Sequence, residues 1–314
     1  MNCHSFVLQP VPPFRLDLTV WTLRRRPDNA VDRWDGRTYR RALVLGSLVV
    51  EIAVTQIKPP GDPHLLVTVS GPPLTADVKT AVTSALERLL GLNIDLAKFR
   101  RFAARRPRLG ALARRFWGMK PPRFPSVFEA ALNAMACQQV TLTLGIRLLN
   151  RMAKSYGAAF QEGERIVYAF PQPKDLAALD PQALRELGFS RQKARAMIEL
   201  ADAITAGRLD LEALANKPDA DALAQLQQLR GIGRWTAEYI LLRGLGRLHI
   251  FPGDDVGARN NLQRWLHLTD SLDYEGVART LARWRDYGGL IYFHLLLDRL
   301  AEIGCLEGGL RCSV

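Results

Sequence analysis

Leu226-Gln227-Gln228-Leu229-Arg230-Gly231-Ile232-Gly233-Arg234-Trp235-Thr236-Ala237 is the stretch on which the reading of the chain turns. Leu226, Leu229 and Ile232 are spaced to pack inward, while Gly231 and Gly233 permit a sharp reversal with φ > 0 and leave no Cβ above the turn. A helix that begins near Arg234 to Thr236 directs its free N–H groups and the positive end of its dipole at whatever approaches the turn. That arrangement binds phosphate. A lone Gly-Ile-Gly is also an ordinary helix-to-helix turn, so the apolar spacing around it and the Thr236-Ala237 pair carry the assignment.

Outward from this turn the chain reads as helices. Asp95 is placed to cap a helix towards Ala104, Ser126 one to Gln138, and Thr141 one to Lys154 with Leu144, Leu148 and Met152 on one side. Asp180-Pro181 is an N-cap followed by proline in the first helical position. Ser190 opens a helix through Ala206 that Gly207 closes. Before residue 99 the pattern differs. Phe14 to Leu23, Thr38 to Leu45, Leu48 to Ile57 and Leu65 to Val69 are apolar runs of strand length. Gly46-Ser47 suits a tight hairpin, Pro59-Pro60-Gly61-Asp62-Pro63 a loop, and Thr75 to Leu90 a helix with Val78, Val82, Leu86 and Leu89 on one side. The expected fold class is therefore α+β: a small antiparallel sheet plus helix over residues 1–98, then an all-helical body over 99–314.

Lys plus Arg number 43 against 31 Asp plus Glu, a net charge of +12 in 314 residues. Such a surplus points to a polyanionic partner. Between Phe99 and Phe124 stand Arg100, Arg101, Arg105, Arg106, Arg108, Arg114, Arg115, Lys120 and Arg123 with no acid, a stretch that also reads as a basic linker. No apolar run approaches the roughly 20 residues of a membrane helix, and the N-terminus has no secretory pattern, so a cytoplasmic protein is expected. Cys3, Cys137, Cys305 and Cys312 are too few and scattered for a disulfide framework or a zinc site. The histidines at 4, 64, 249, 267 and 294 form no ligand pattern.

Three further segments give the turn a context. Phe251-Pro252-Gly253-Asp254-Asp255-Val256-Gly257 follows the second helix, Phe128-Glu129-Ala130 leads to Gln138-Gln139-Val140-Thr141, and Gly188-Phe189-Ser190-Arg191-Gln192-Lys193-Ala194 lies between. With these segments and the sheet-plus-helix N-terminal domain, the chain resembles the bacterial DNA-3-methyladenine glycosylase II family of helix-hairpin-helix base-excision enzymes over most of its length. The resemblance implies binding to double-stranded DNA and a monomeric, nucleoid-associated enzyme. It also implies that a damaged base is flipped out and cut from its sugar. An alkylated purine such as 3-methyladenine already carries positive charge and leaves neutral, so one carboxylate can suffice to stabilise the oxocarbenium-like sugar and orient water. That carboxylate is Asp255, while Asp254 is the acid expected to cap the next helix.

The same resemblance places Trp235, Tyr239 and Trp284 around the base, where aromatic faces attract an electron-poor ring. It places Gly231, Gly233, Arg234, Thr236, Gln138 and Gln139 on DNA, the two glutamines where relatives probe the gap left by the flipped base. Gln139 stands where the best-known relatives have an apolar wedge. Arg230, where many relatives have proline, adds a possible phosphate contact. Relatives that also cut the strand carry a Schiff-base lysine at the position of Trp235, so monofunctional chemistry without lyase activity is implied. Relatives with an iron–sulfur cluster need four cysteines, and Cys305 and Cys312 are the only ones near this C-terminus, so no cluster and no required cofactor are expected. A monovalent cation on the backbone carbonyls of Gln227, Leu229 and Gly231 is the remaining implication. Two other readings stay open: a related glycosylase for oxidised or deaminated purines, and a non-catalytic helix-hairpin-helix DNA binder. A buried Asp255 spent on capping favours the binder; an Asp255 facing an aromatic cleft favours an enzyme.

Overall fold

The computed structural model describes residues 2–306. Five antiparallel strands, β1 (Asn2–Leu8), β2 (Arg33–Trp34), β3 (Thr38–Leu45), β4 (Leu48–Gln56) and β5 (Leu65–Gly71), form a sheet in the order β1-β5-β4-β3-β2. Gly46, at φ 63, takes the first turn position between β3 and β4 as expected. Alternation along β4 and β5 turns Val50, Ile52, Val54, Leu65, Val67 and Val69 to one face. Against it packs α2 (Ala76–Leu90) through Val78, Val82, Leu86 and Leu89, its first turn capped by Thr75.

One expected strand is a helix. Phe14 to Leu23 supplies α1 (Leu16–Arg24), which is buried nearly all round because two cores share it. Leu16, Val20 and Leu23 join the sheet core, and Leu18 and Trp21 join a C-terminal helical core. Each set has helical spacing, but superposed they imitate a continuous strand run. The apolar patterning of the sequence marks neither the edge strand β1 nor the two-residue β2.

The body contains α3 (Ala97–Ala104), α4 (Pro107–Arg115), α5 (Val127–Cys137), α6 (Leu142–Tyr156), α7 (Pro173–Leu176), α8 (Pro181–Glu186), α9 (Arg191–Thr205), α10 (Asp219–Gln227), α11 (Arg234–Arg243), α12 (Val256–Leu266), α13 (Tyr274–Leu281) and α14 (Gly288–Glu302). Ser126, Thr141, Asp180 and Ser190 cap their helices as the sequence predicts. Asp95 instead acts one position before the cap of α3, accepting the Ala97 N–H at 2.8 Å. The body is not all helical: β6 (Ala159–Glu162) and β7 (Arg165–Tyr168) form a hairpin whose Phe160 and Ala169 cover Ala42 on the outer face of the sheet. The basic segment is no bare linker either, since Phe99, Leu109, Leu112 and Phe116 on α3 and α4 pack into the C-terminal core.

The N-terminal part is locked to the body by charge. Arg41, 1% exposed, donates to Asp32 at 2.7 Å and to both Glu129 oxygens of α5 at 2.6 and 2.7 Å, while the Tyr39 hydroxyl donates to Asp32 at 2.7 Å. Charges this deep persist only because each finds partners.

Candidate active site

The turn between α10 and α11 sits on the rim of a cleft of about 1760 Å³. Leu226 and Ile232 are buried in the body core and Leu229 packs against it, as their spacing requires. Gly231 has φ 76, and a Cβ there would stand 2.9 Å from the Ala196 Cβ and 3.2 Å from the Met135 Cε. Gly233 departs from the expected positive φ. It is extended at φ −88, ψ −177, and nothing lies within 4 Å of its would-be Cβ. It therefore leaves the start of α11, which no side chain caps, open to an approaching anion.

The residues expected on DNA divide in two. Gln138, at the end of α5, donates to the Gly231 carbonyl at 2.7 Å and to the Thr236 hydroxyl at 2.8 Å, and Thr236 is buried. Both thus fasten α5 to the hairpin rather than stand free for DNA. Lys193 supports the same corner by donating to the Gln138 and Ala136 carbonyls at 2.6 and 3.2 Å. Gln139 is exposed on the cleft rim and left-handed, φ 52, an unusual conformation for a non-glycine that projects it beyond the helix. Arg234 is not a free cation: its Nε donates to Asp254 at 2.7 Å and its guanidinium lies 3.6 Å from the centre of the Tyr274 ring. Arg230 is likewise engaged, by Glu199 at 2.7 Å.

Asp255 has two jobs. Its Oδ1 accepts the Ala258 N–H at 2.8 Å, so Asp255, and not Asp254, caps α12. Its Oδ2 faces the cleft, where the Trp235 indole N–H and the Tyr292 hydroxyl approach as donors at 3.3 and 3.4 Å. The side chain is half-buried and no basic group bonds it among the described residues. The loop that presents it is tied down by Glu238, which accepts the Gly253 N–H at 3.0 Å and the Tyr274 hydroxyl at 2.7 Å. Burial pushes the Glu238 carboxyl above the usual carboxylate range.

Two of the three expected pocket aromatics come together. Trp235 and the buried Tyr239 sit with ring centroids 5.7 Å apart on one face of α11. Trp284 does not join them: it is buried in the C-terminal core against Trp265, centroids 5.3 Å apart, and is absent from the cleft lining. Its place is taken by Tyr292 of α14, whose hydroxyl is pushed well above its ordinary pKa by burial and by Asp255. Sequence reasoning missed Tyr292, Arg25 and Asn133. Arg25 on the cleft wall donates to Tyr239 at 2.9 Å and to Asn133 at 2.6 Å. The Leu229 and Gly231 carbonyls already accept bonds from the Ile232 N–H and Gln138, which leaves each one lone pair for a cation.

A helix-hairpin-helix whose uncapped helix end adjoins a carboxylate in an aromatic cleft defines the class. Residues 132–286 match the HhH-GPD superfamily of base excision DNA repair proteins. Among its relatives, YfjP of Bacillus subtilis (strain 168), by name a candidate DNA-3-methyladenine glycosylase, is 29% identical over 93% of this chain and 97% of its own. The DNA-3-methyladenine glycosylase 2 of Escherichia coli (strain K12) is 26% identical over 92% of this chain and 96% of its own. The structure of a 3-methyladenine DNA-glycosylase from Archaeoglobus fulgidus superposes with a TM-score of 0.81 at 26% identity, covering 94% of this chain and 98% of that one.

Proposed function

We infer that the protein is a monofunctional DNA glycosylase of base excision repair that hydrolyses the N-glycosidic bond of flipped-out alkylated purines such as 3-methyladenine. The observation that carries this reading is the double engagement of Asp255. Capping fixes the carboxyl through Oδ1, and Oδ2 is left facing the cleft beside Trp235 and Tyr292. A carboxylate so held costs little reorganisation when positive charge develops on the sugar. Its Oδ2 can also take a proton from attacking water. Trp235 and Tyr239 supply the aromatic wall. The capping role alone fits the non-catalytic binder, but the exposure of Oδ2 to an aromatic cleft favours the enzyme.

Backbone contact comes from the N–H groups at Gly233 and the start of α11, supplemented by a monovalent cation on the carbonyls of Gln227, Leu229 and Gly231, which would add positive charge facing a phosphate. Gln139 is the residue proposed to enter the gap left by the flipped nucleotide. Release without strand cleavage is supported by the indole at position 235. It is supported too by Lys193, the lysine of the cleft lining among the described residues, whose amine is tied to two carbonyls. Incubation with methylated duplex DNA, then alkali, tests the reading: free base with strand breaks only after alkali is the expected result. Breaks before alkali contradict monofunctional chemistry.

A further inference from the structure

The cleft wall carries a fixed cation that the chemistry above does not use. Arg25 is the C-cap of α1, left-handed at φ 63 and 4% exposed. Its bonds go to neutral groups, the Tyr239 hydroxyl and the Asn133 amide oxygen, its Nε is buried without a partner, and no carboxylate bonds it among the described residues. Tyr239 rests on Trp235, and Trp235 reaches Asp255, so Asp255, Trp235, Tyr239 and Arg25 follow one another along a single wall.

Behind the same tyrosine lies a second guanidinium, Arg243, fully buried. It donates to the Thr22 and Leu23 carbonyls at the negative end of α1, with the rings of Phe124, Tyr239 and Phe293 around it. Two cations in a low-dielectric wall raise the cost of bringing in a third charge of the same sign. They lower the cost of negative charge that develops nearby.

Resting on the glycosylase reading of this cleft, we propose that Arg25 is a specificity-determining residue that extends the site, beyond the cationic alkylated purines of that reading, to purine lesions that enter neutral. For a neutral lesion such as hypoxanthine the C1′–N9 bond breaks and its electron pair goes to the purine, which becomes an anion. Water forms the new C1′–O bond and gives up one proton by way of Asp255, and the purine takes one proton from solvent, so that one water is added overall. The anion is the species Arg25 favours. An N-alkylated purine arrives positive and leaves neutral, so the same guanidinium opposes its entry and gives its departure no help.

The test compares kcat/KM for base release from duplexes with a single hypoxanthine or a single 7-methylguanine, using wild type, Arg25→Gln and Arg25→Lys at one salt concentration. The hypoxanthine to 7-methylguanine ratio is expected to fall about tenfold in Arg25→Gln and to stay within about threefold of wild type in Arg25→Lys. An unchanged ratio in Arg25→Gln, or an equal fall in both variants, overturns the proposal. If thermal melting finds Arg25→Gln unfolded, the wild-type enhancement over spontaneous release decides: larger for hypoxanthine by about tenfold is expected, and equal or smaller overturns it. No release of either base by folded wild type overturns the parent reading and the role of Arg25 with it, whereas release with an unchanged ratio strikes only the latter.

Discussion

The indole N–H of Trp235 points at Asp255 Oδ2 across 3.3 Å, the oxygen not spent on capping α12. The first turn of α11 therefore orients the carboxylate beside its own uncapped helix end, so that in the function proposed above binding and chemistry share one helix.

Trp235→Phe keeps an aromatic wall and removes the donor. Base release under single turnover is expected to fall roughly tenfold, in line with losing one hydrogen bond to a charged group, while the melting temperature stays near wild type. Release at the wild-type rate would mean that the indole only stacks.

The two glycines of the hairpin should behave differently. Gly231→Ala forces a Cβ into a left-handed residue 2.9 Å from Ala196 and is expected to cost about 2 kcal/mol by chemical denaturation. Gly233→Ala meets open space in an extended residue and should leave stability within about 0.5 kcal/mol. It should nonetheless weaken binding to all duplexes by a similar factor, because the Cβ stands where phosphate approaches. Equal effects of the two substitutions on stability would contradict this assignment.

Buried His294 donates its Nδ1–H to the Leu290 carbonyl, and burial lowers its pKa to about 4. Because the folded value lies below the unfolded one near 6.5, its contribution is fully present above about pH 6.5 and is lost as pH falls towards 4, by at most about 3 kcal/mol. Melting temperatures across this range should decline more steeply for wild type than for His294→Met. Parallel declines would place the acid sensitivity elsewhere.

Much of this was legible in the sequence. Ser126, Thr141, Asp180 and Ser190 cap helices because each is a short polar residue at the foot of an apolar period, a purely local signal. The hairpin and the placement of Asp255 in the cleft follow from spacing and from the family resemblance. What escaped depends on tertiary context. α1 looks like a strand because two cores claim different faces of it, and Trp284 looks like Tyr292's substitute because nothing local says which aromatic of the C-terminal region turns inwards. Arg25 is invisible for the same reason: its partners Asn133 and Tyr239 lie 108 and 214 residues away.

The central claim is that the cleft-facing oxygen of Asp255 carries the chemistry. Asn is as good an N-cap as Asp, so Asp255→Asn keeps the fold and α12 while removing the charge. Single-turnover base release from methylated duplex DNA, measured with duplex affinity at the same salt, decides the matter. The account predicts a loss of at least about 10²-fold in release with affinity nearly unchanged. Release by Asp255→Asn at a rate close to wild type would contradict it.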